Sequence, residues 1–249
     1  MKSNVIQPAV PEAVVTQIRL AIVDGTLPPG SRIKQEELAA RLNVSRAPIR
    51  QALMVLKREG LVEIRHHRGA IVSPLDLPFI SDIYELREVI EGHVVTRLAE
   101  RTSFDPTPLW QIVADGHEAN ASGHLSRVIE LDLAFHKGIY DALGNRPLTN
   151  IMDAQWCHVR RVMAATLTVN NNRGQVWDDH SGILKAIAAG KPEEARAASI
   201  SHTRAARDVL LQNLKDFVTN QALARHSSAK RHTRLERAPG RSGGGAART

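Results

Sequence analysis

From residue 79 to residue 220 apolar side chains recur every three to four positions and no run alternates apolar with polar, so this part of the chain is committed to helices. The spacing predicts helices over 79–101, 107–121, 126–143, 147–168, 174–189 and 192–220. Their limits are chemical: Gly144-Asn145, the asparagines at 170–172 and Gly190 all continue a helix poorly. Six helices of this length bury their apolar faces only against one another, which makes the segment an all-α bundle.

The first 75 residues read differently. A helix starts at Pro11, carries Val14, Ile18, Ala21 and Ile22 on one face and stops at Gly25. A short helix over 35–42 and a longer one over 46–59 are joined by Asn43-Val44, with Ser45 placed to cap the second and Pro48 in its first turn, where no intrahelical acceptor is lost. Two helices across a tight turn form a helix-turn-helix. After Gly60 the runs LVEIR and AIVS, joined by HHRG, predict a hairpin wing. The fold class expected is therefore mainly α: a winged helix-turn-helix over 1–75, then an all-α bundle over 76–224, joined by the proline-marked 74–78 (PLDLP).

Charge divides the chain the same way. Residues 1–75 carry 11 Lys/Arg against 6 Asp/Glu, residues 76–224 carry 15 against 19, and residues 225–249 carry 7 against 1. A basic head on an acidic body points the head at a polyanion. The glycine-ended, basic 225–249 has too few apolar residues to offset ordering and is expected to be a disordered tail. Ser45, Arg46 and Arg50 sit at the start of the third helix, the end that enters a DNA major groove, and an arginine can bond guanine bidentately. In the wing, His66, His67 and Arg68 are poised for phosphate or the minor groove, and Gly69 permits the turn. No apolar run approaches the roughly 18 to 20 residues of a membrane span, the N-terminus has no signal-peptide core, and a cytoplasmic protein is expected. Cys157, the chain's one cysteine, excludes an internal disulfide or a multi-cysteine zinc site.

The run LPPGSRIKQEELAARLNVSRAPIRQALMVLKREGLVEIRHHRGAIV resembles the DNA-binding domain of the GntR family of bacterial winged-helix repressors. The resemblance implies DNA contacts from Arg32, Arg46, Arg50 and Gly69. One recognition helix reads only a few base pairs and two-fold proteins match two-fold sites, so a homodimer on a near-palindromic operator is expected. Gln51 departs from the family's common glutamate.

In the bundle, four polar residues fall on apolar faces: Asp132 and His136, four apart among Ile129, Leu133, Ile139 and Tyr140; His180 among Trp177, Ile183 and Leu184; and His202 among Ala198, Ala206 and Val209. A single inward histidine is more commonly a hydrogen-bonded core residue than a ligand. An unpaired inward aspartate is costly, and one ion held by all four satisfies the set together. One carboxylate with three imidazoles suits zinc or nickel first, manganese or cobalt also, and calcium or magnesium least. Arg87 and Arg160 are candidates to clamp the carboxylate of an effector. The segments DLAFHKGIYDALGNRPL and DDHSGILKAIAAGKPEEARAASISHT resemble the FCD effector-binding domain of the FadR-type branch of the same family, whose metal-binding members carry this ligand set, at Asp132, His136, His180 and His202 here. The expectation is a DNA-binding transcriptional regulator, as a repressor, controlled by a small organic acid at a metal site. Two readings stay open: a helical metalloenzyme, for which no nucleophile motif is present and Glu91 is a candidate base that could reach inward, and a purely structural metal.

Overall fold

The computed structural model describes residues 12–66, 69–167 and 174–236, with side chains as far as Ala222. Among the described residues there are nine helices and three strands: α1 Glu12–Val23, β1 Arg32–Ile33, α2 Gln35–Arg41, α3 Arg46–Arg58, β2 Val62–Arg65, β3 Gly69–Val72, α4 Leu77–Ala99, α5 Thr107–Ala121, α6 Leu125–Leu143, α7 Arg146–Thr166, α8 Gly174–Ala188 and α9 Pro192–Glu236. A winged helix-turn-helix is followed by a six-helix bundle.

In the head, Ile18 and Ile22 of α1, Ile49, Leu53 and Leu56 of α3, and Leu61 are almost wholly excluded from solvent and form one core. Each such side chain contributes about 1.5 to 3 kcal/mol by leaving water. The turn between α2 and α3 places Asn43 at φ 51°, a left-handed conformation that asparagine tolerates better than most side chains. The antiparallel sheet has the order β1-β3-β2, with Arg65 opposite Gly69 at the wing's tip. Gly69 has φ 75°, so the chain reverses there without the penalty a side chain would bring. The two-residue β1 was not expected, because a strand that short has no readable alternation.

Other boundaries differ for local reasons. Ser45 occupies the N-cap position of α3, but its side chain makes no capping hydrogen bond, contrary to expectation. Helix α4 starts at Leu77, inside the expected linker, because the Asp76 carboxylate accepts from Phe79 N at 3.3 Å and Pro78 fits the first turn. Helix α9 runs beyond the expected end at residue 220 to Glu236. The rest of the basic tail, 237–249, lies outside the described residues.

The bundle is centred on Val94, Leu98, Phe135, Tyr140, Met152 and Leu184. A smaller cluster joins Trp177 of α8 to Ala119 of α5 and to Val128 and Leu131 of α6. Gly116 makes room for that indole: a Cβ there would lie 2.4 Å from three ring carbons. Gly116→Ala is therefore expected to lower stability by about 1 to 3 kcal/mol through overpacking. Urea unfolding at an unshifted midpoint would contradict this close approach.

Candidate metal centre and nucleic-acid interface

His136 and Asp132 project from α6, His180 from α8 and His202 from α9, and all four are buried. The possible ligand nitrogens of the three histidines lie within 4.8 Å of one another. His180 Nε2 is 3.2 Å from His202 Nε2 and 3.8 Å from Asp132 Oδ1. Two imidazole nitrogens bound to one ion at about 2.1 Å lie about 3.0 to 3.4 Å apart for octahedral to tetrahedral angles. The His180–His202 spacing matches that span.

The proton on two rings follows from their neighbours. His136 Nδ1 faces the Glu91 carboxylate at 3.3 Å, and Nε2 faces an Arg87 guanidinium nitrogen at 3.1 Å. A carboxylate can only accept and a guanidinium can only donate, so Nδ1 carries the proton and Nε2 presents its lone pair. Burial, with Arg87 beside it, pushes the His136 imidazole below its ordinary pKa and keeps it neutral, the form that ligates metal. His202 Nδ1 faces the Asp179 carboxylate at 3.4 Å, which turns the bare Nε2 toward His180. Carboxylates behind metal-binding imidazoles fix tautomers in this way. His180 is held by packing: its ring stacks on Phe135 at 3.9 Å and meets Trp177 edge-on at 5.1 Å. By donor type the residues fit a first-row transition ion, with three imidazoles, one carboxylate and too few oxygens for calcium or magnesium; His136 Nε2 accepts from Arg87 here and would exchange that donor for the ion.

Behind the cluster Glu91 acts as a hub. It accepts from Arg87 Nε at 2.8 Å and Tyr140 Oη at 2.7 Å on one oxygen and from His136 Nδ1 on the other, and Thr203 Oγ1, 2.9 Å from the Ser199 carbonyl, also lies 3.2 Å from that second oxygen. Despite burial, Arg87 and His136 hold its pKa well below the usual carboxylate range. It points inward, as the metalloenzyme alternative requires, but as a fully engaged anion. The Arg87 guanidinium also lies over the rings of Trp156 at 4.4 Å and Tyr84 at 4.6 Å. Asp179 carried no signal in the sequence, because its partner His202 is on another helix.

A cavity of about 150 Å³ adjoins the cluster, lined by Tyr84, Arg87, Asp132, His136, Asp179 and His202 among others. A cavity of that order holds a molecule of about benzene's size. Arg87 reaches this cavity; Arg160, half-buried on α7, does not.

On the head, α3 presents Ser45, Arg46 and Arg50 to solvent, with Arg32 of β1 and Gly69 of β3 also exposed. Arg46 pairs with Glu36 of α2 at 2.9 Å. Both partners are highly exposed, so the pair holds Arg46 by no more than about 1 kcal/mol. A shallow groove between α3 and the wing is lined by Ala47, Arg50, Gln51, Met54, Ile64 and Gly69 among others. His67 and Arg68 lie outside the described residues.

Comparison with known proteins gives this arrangement a family. Residues 11–72 match the model of bacterial regulatory proteins of the gntR family, and residues 82–205 match the FCD domain. The HTH-type transcriptional regulator LutR of Bacillus subtilis is 28% identical over 215 residues, covering 76% of this chain and 95% of LutR. The Nta operon transcriptional regulator of Aminobacter aminovorans is 28% identical, covering 83% of this chain and 96% of that protein. Among solved structures, a GntR regulator from Rhodococcus sp. RHA1 superposes with a TM-score of 0.70 at 25% identity, covering 81% of this chain and 97% of that one. Escherichia coli McbR/YncC shares the fold, with a TM-score of 0.70 at 18% identity, over 83% of this chain and 99% of that one. The chain belongs to the GntR family, with a GntR-type helix-turn-helix domain followed by an FCD domain. It is a DNA-binding transcriptional regulator and not an enzyme. No described helix is long and apolar enough to cross a membrane.

Proposed function

We propose that this regulator binds a near-palindromic operator as a homodimer and represses from it, and that a small organic acid bound at a metal site in the bundle controls its grip. The observation that carries this reading is the convergence of three buried imidazoles and Asp132 beside a small cavity that Arg87 also lines. His136, His180, His202 and Asp132 would hold the ion, zinc or nickel before manganese or cobalt. When bound, the ion supplies Lewis-acid positions for a carboxylate or hydroxyl. Arg87, a permanent cation on the cavity wall, favours an anionic ligand there. The cavity's size limits that ligand to a few carbon atoms.

At the DNA, Arg46 and Arg50 are the base-reading candidates, Gly69 allows the wing to approach the backbone, and Arg32 and Ser45 flank the helix end. His67 and Arg68, outside the described residues, complete the expected set. The test is an anisotropy titration on an operator selected from random duplexes, repeated with a panel of small carboxylic and sugar acids. A sequence-specific complex whose affinity at least one acid changes is the expected result. A complex that no acid changes, in protein that binds those acids, would remove the regulatory half. Arg50→Ala should weaken operator binding by about 1 to 3 kcal/mol, roughly 5- to 150-fold, with the far-ultraviolet spectrum unchanged. Equal binding by Arg50→Ala and Arg46→Ala variants and wild type would overturn the assigned face of α3.

A further inference from the structure

Helix α7 has two functional faces. Trp156, Val159 and Met163 are buried in the bundle core, and the Trp156 ring lies 5.2 Å from that of His136 and under Arg87. On its other side α7 meets the head. Cys157 packs against the head's own core. His158 Nε2 lies 2.9 Å from the carbonyl oxygen of Glu59, the residue that closes α3. A carbonyl only accepts, so Nε2 is the protonated nitrogen. The His158 ring also meets Phe79 of α4 edge-on at 4.9 Å. Arg161 donates to the carbonyl oxygen of Ser73, just past β3.

Arg161 is unusual. It is 3% exposed, no ion pair reaches it among the described residues, and its Nε is buried without a partner. Burial alone pulls it down to about 10. A buried guanidinium with one backbone acceptor is costly, and removing its charge would relieve that cost, so bundle stability does not account for it. The two carbonyls it and His158 hold are the ends of the elements that face DNA, α3 and the wing. Arg19 of α1 fastens the same corner through two hydrogen bonds to the Glu59 carboxylate, at 3.0 and 2.8 Å.

We infer that α7, rather than the short linker into α4, joins the buried site to the DNA-binding head, with His158 and Arg161 as positioning residues that grip the head by the Glu59 and Ser73 carbonyls while Trp156 follows the His136 ring. A change at His136 moves Trp156, and a rigid helix carries that motion within two turns to both grips. The coupling rests on the proposed regulation by the metal site; the docking of the head on α7 does not.

The two parts are tested on the full chain. Docking is read from Cys157, half-buried at the seam and held above its ordinary pKa by burial. Arg161→Met and His158→Phe should each raise its alkylation rate several-fold, whereas Arg161→Lys and His158→Gln, which keep a donor, should label like wild type. Equal labelling by all five proteins overturns the grip. Coupling is read by titrating operator with and without zinc, and zinc with and without operator. Linkage requires the same factor both ways, about 5-fold or more in wild type and in the two donor-keeping variants. In Arg161→Met and His158→Phe the factor should fall to about 1 while zinc still binds. If wild type responds and those variants respond equally, α7 is not the route and the regulatory reading survives. If wild type binds zinc with no change in operator affinity, occupancy of the site is not carried to the head and the coupling fails, while the acid titration decides the regulatory reading separately.

Discussion

Replacing His180 or His202 by alanine is expected to abolish stoichiometric uptake of zinc or nickel. Protein purified without chelator or added histidines should carry about one first-row transition ion per chain, as the four-ligand set implies. Altering a residue behind a ligand typically weakens binding about 10- to 100-fold; deleting an imidazole outright should exceed the upper end of that range. His93, exposed on α4, is the internal control: His93→Ala should retain the ion. Elemental analysis and a zinc titration after dialysis against chelator decide the matter. Wild-type protein that takes up neither zinc nor nickel at micromolar concentration would reduce the cluster to hydrogen-bonded core histidines.

The second large effect concerns Glu91. Glu91→Leu leaves the Arg87 guanidinium, 2% exposed, without its counter-ion, and strands the donors of Tyr140 and His136. Breaking a buried pair from one side costs about 3 to 5 kcal/mol. Removing both charges in Arg87→Met/Glu91→Leu should recover much of that, because well-packed apolar side chains replace a buried pair at little or no cost. Urea unfolding of the four proteins of the cycle gives the coupling directly. A Glu91→Leu variant as stable as wild type would show that the hub does not hold the bundle. Glu91→Gln, which keeps the shape, should fold well yet bind zinc about 10- to 100-fold more weakly, since the amide no longer enforces the proton on His136 Nδ1.

The helices, the turn and the wing were legible because their causes are local. Apolar spacing, Pro48 in a first turn, Asn43 in a left-handed turn and glycine at the wing tip act within a few residues. The expected 107–121 is α5 as observed, and the expected 174–189 and 126–143 differ from α8 and α6 by one residue. The four polar residues on apolar faces were readable for the same reason: a helix's period assigns each position a face, and these faces had to turn inward. Arg87 and Arg160 show where that reasoning thins. Both lie on bundle helices, and periodicity alone did not separate the one that reaches the cavity from the one that does not.

What periodicity could assign was which side chains are buried; which groups they meet inside was decided by packing. Glu91 lies 49 residues from Tyr140 and 112 from Thr203, and His202 lies 23 from Asp179. The grips of α7 on the head span 99 residues for His158 and 88 for Arg161. Hydrogen bonds act over about 3 Å, whereas helical periodicity carries information over a few turns of one segment. The tautomers of His136 and His202, the engagement of Glu91 and the hold of α7 on the DNA-binding head therefore exist only once the helices have packed.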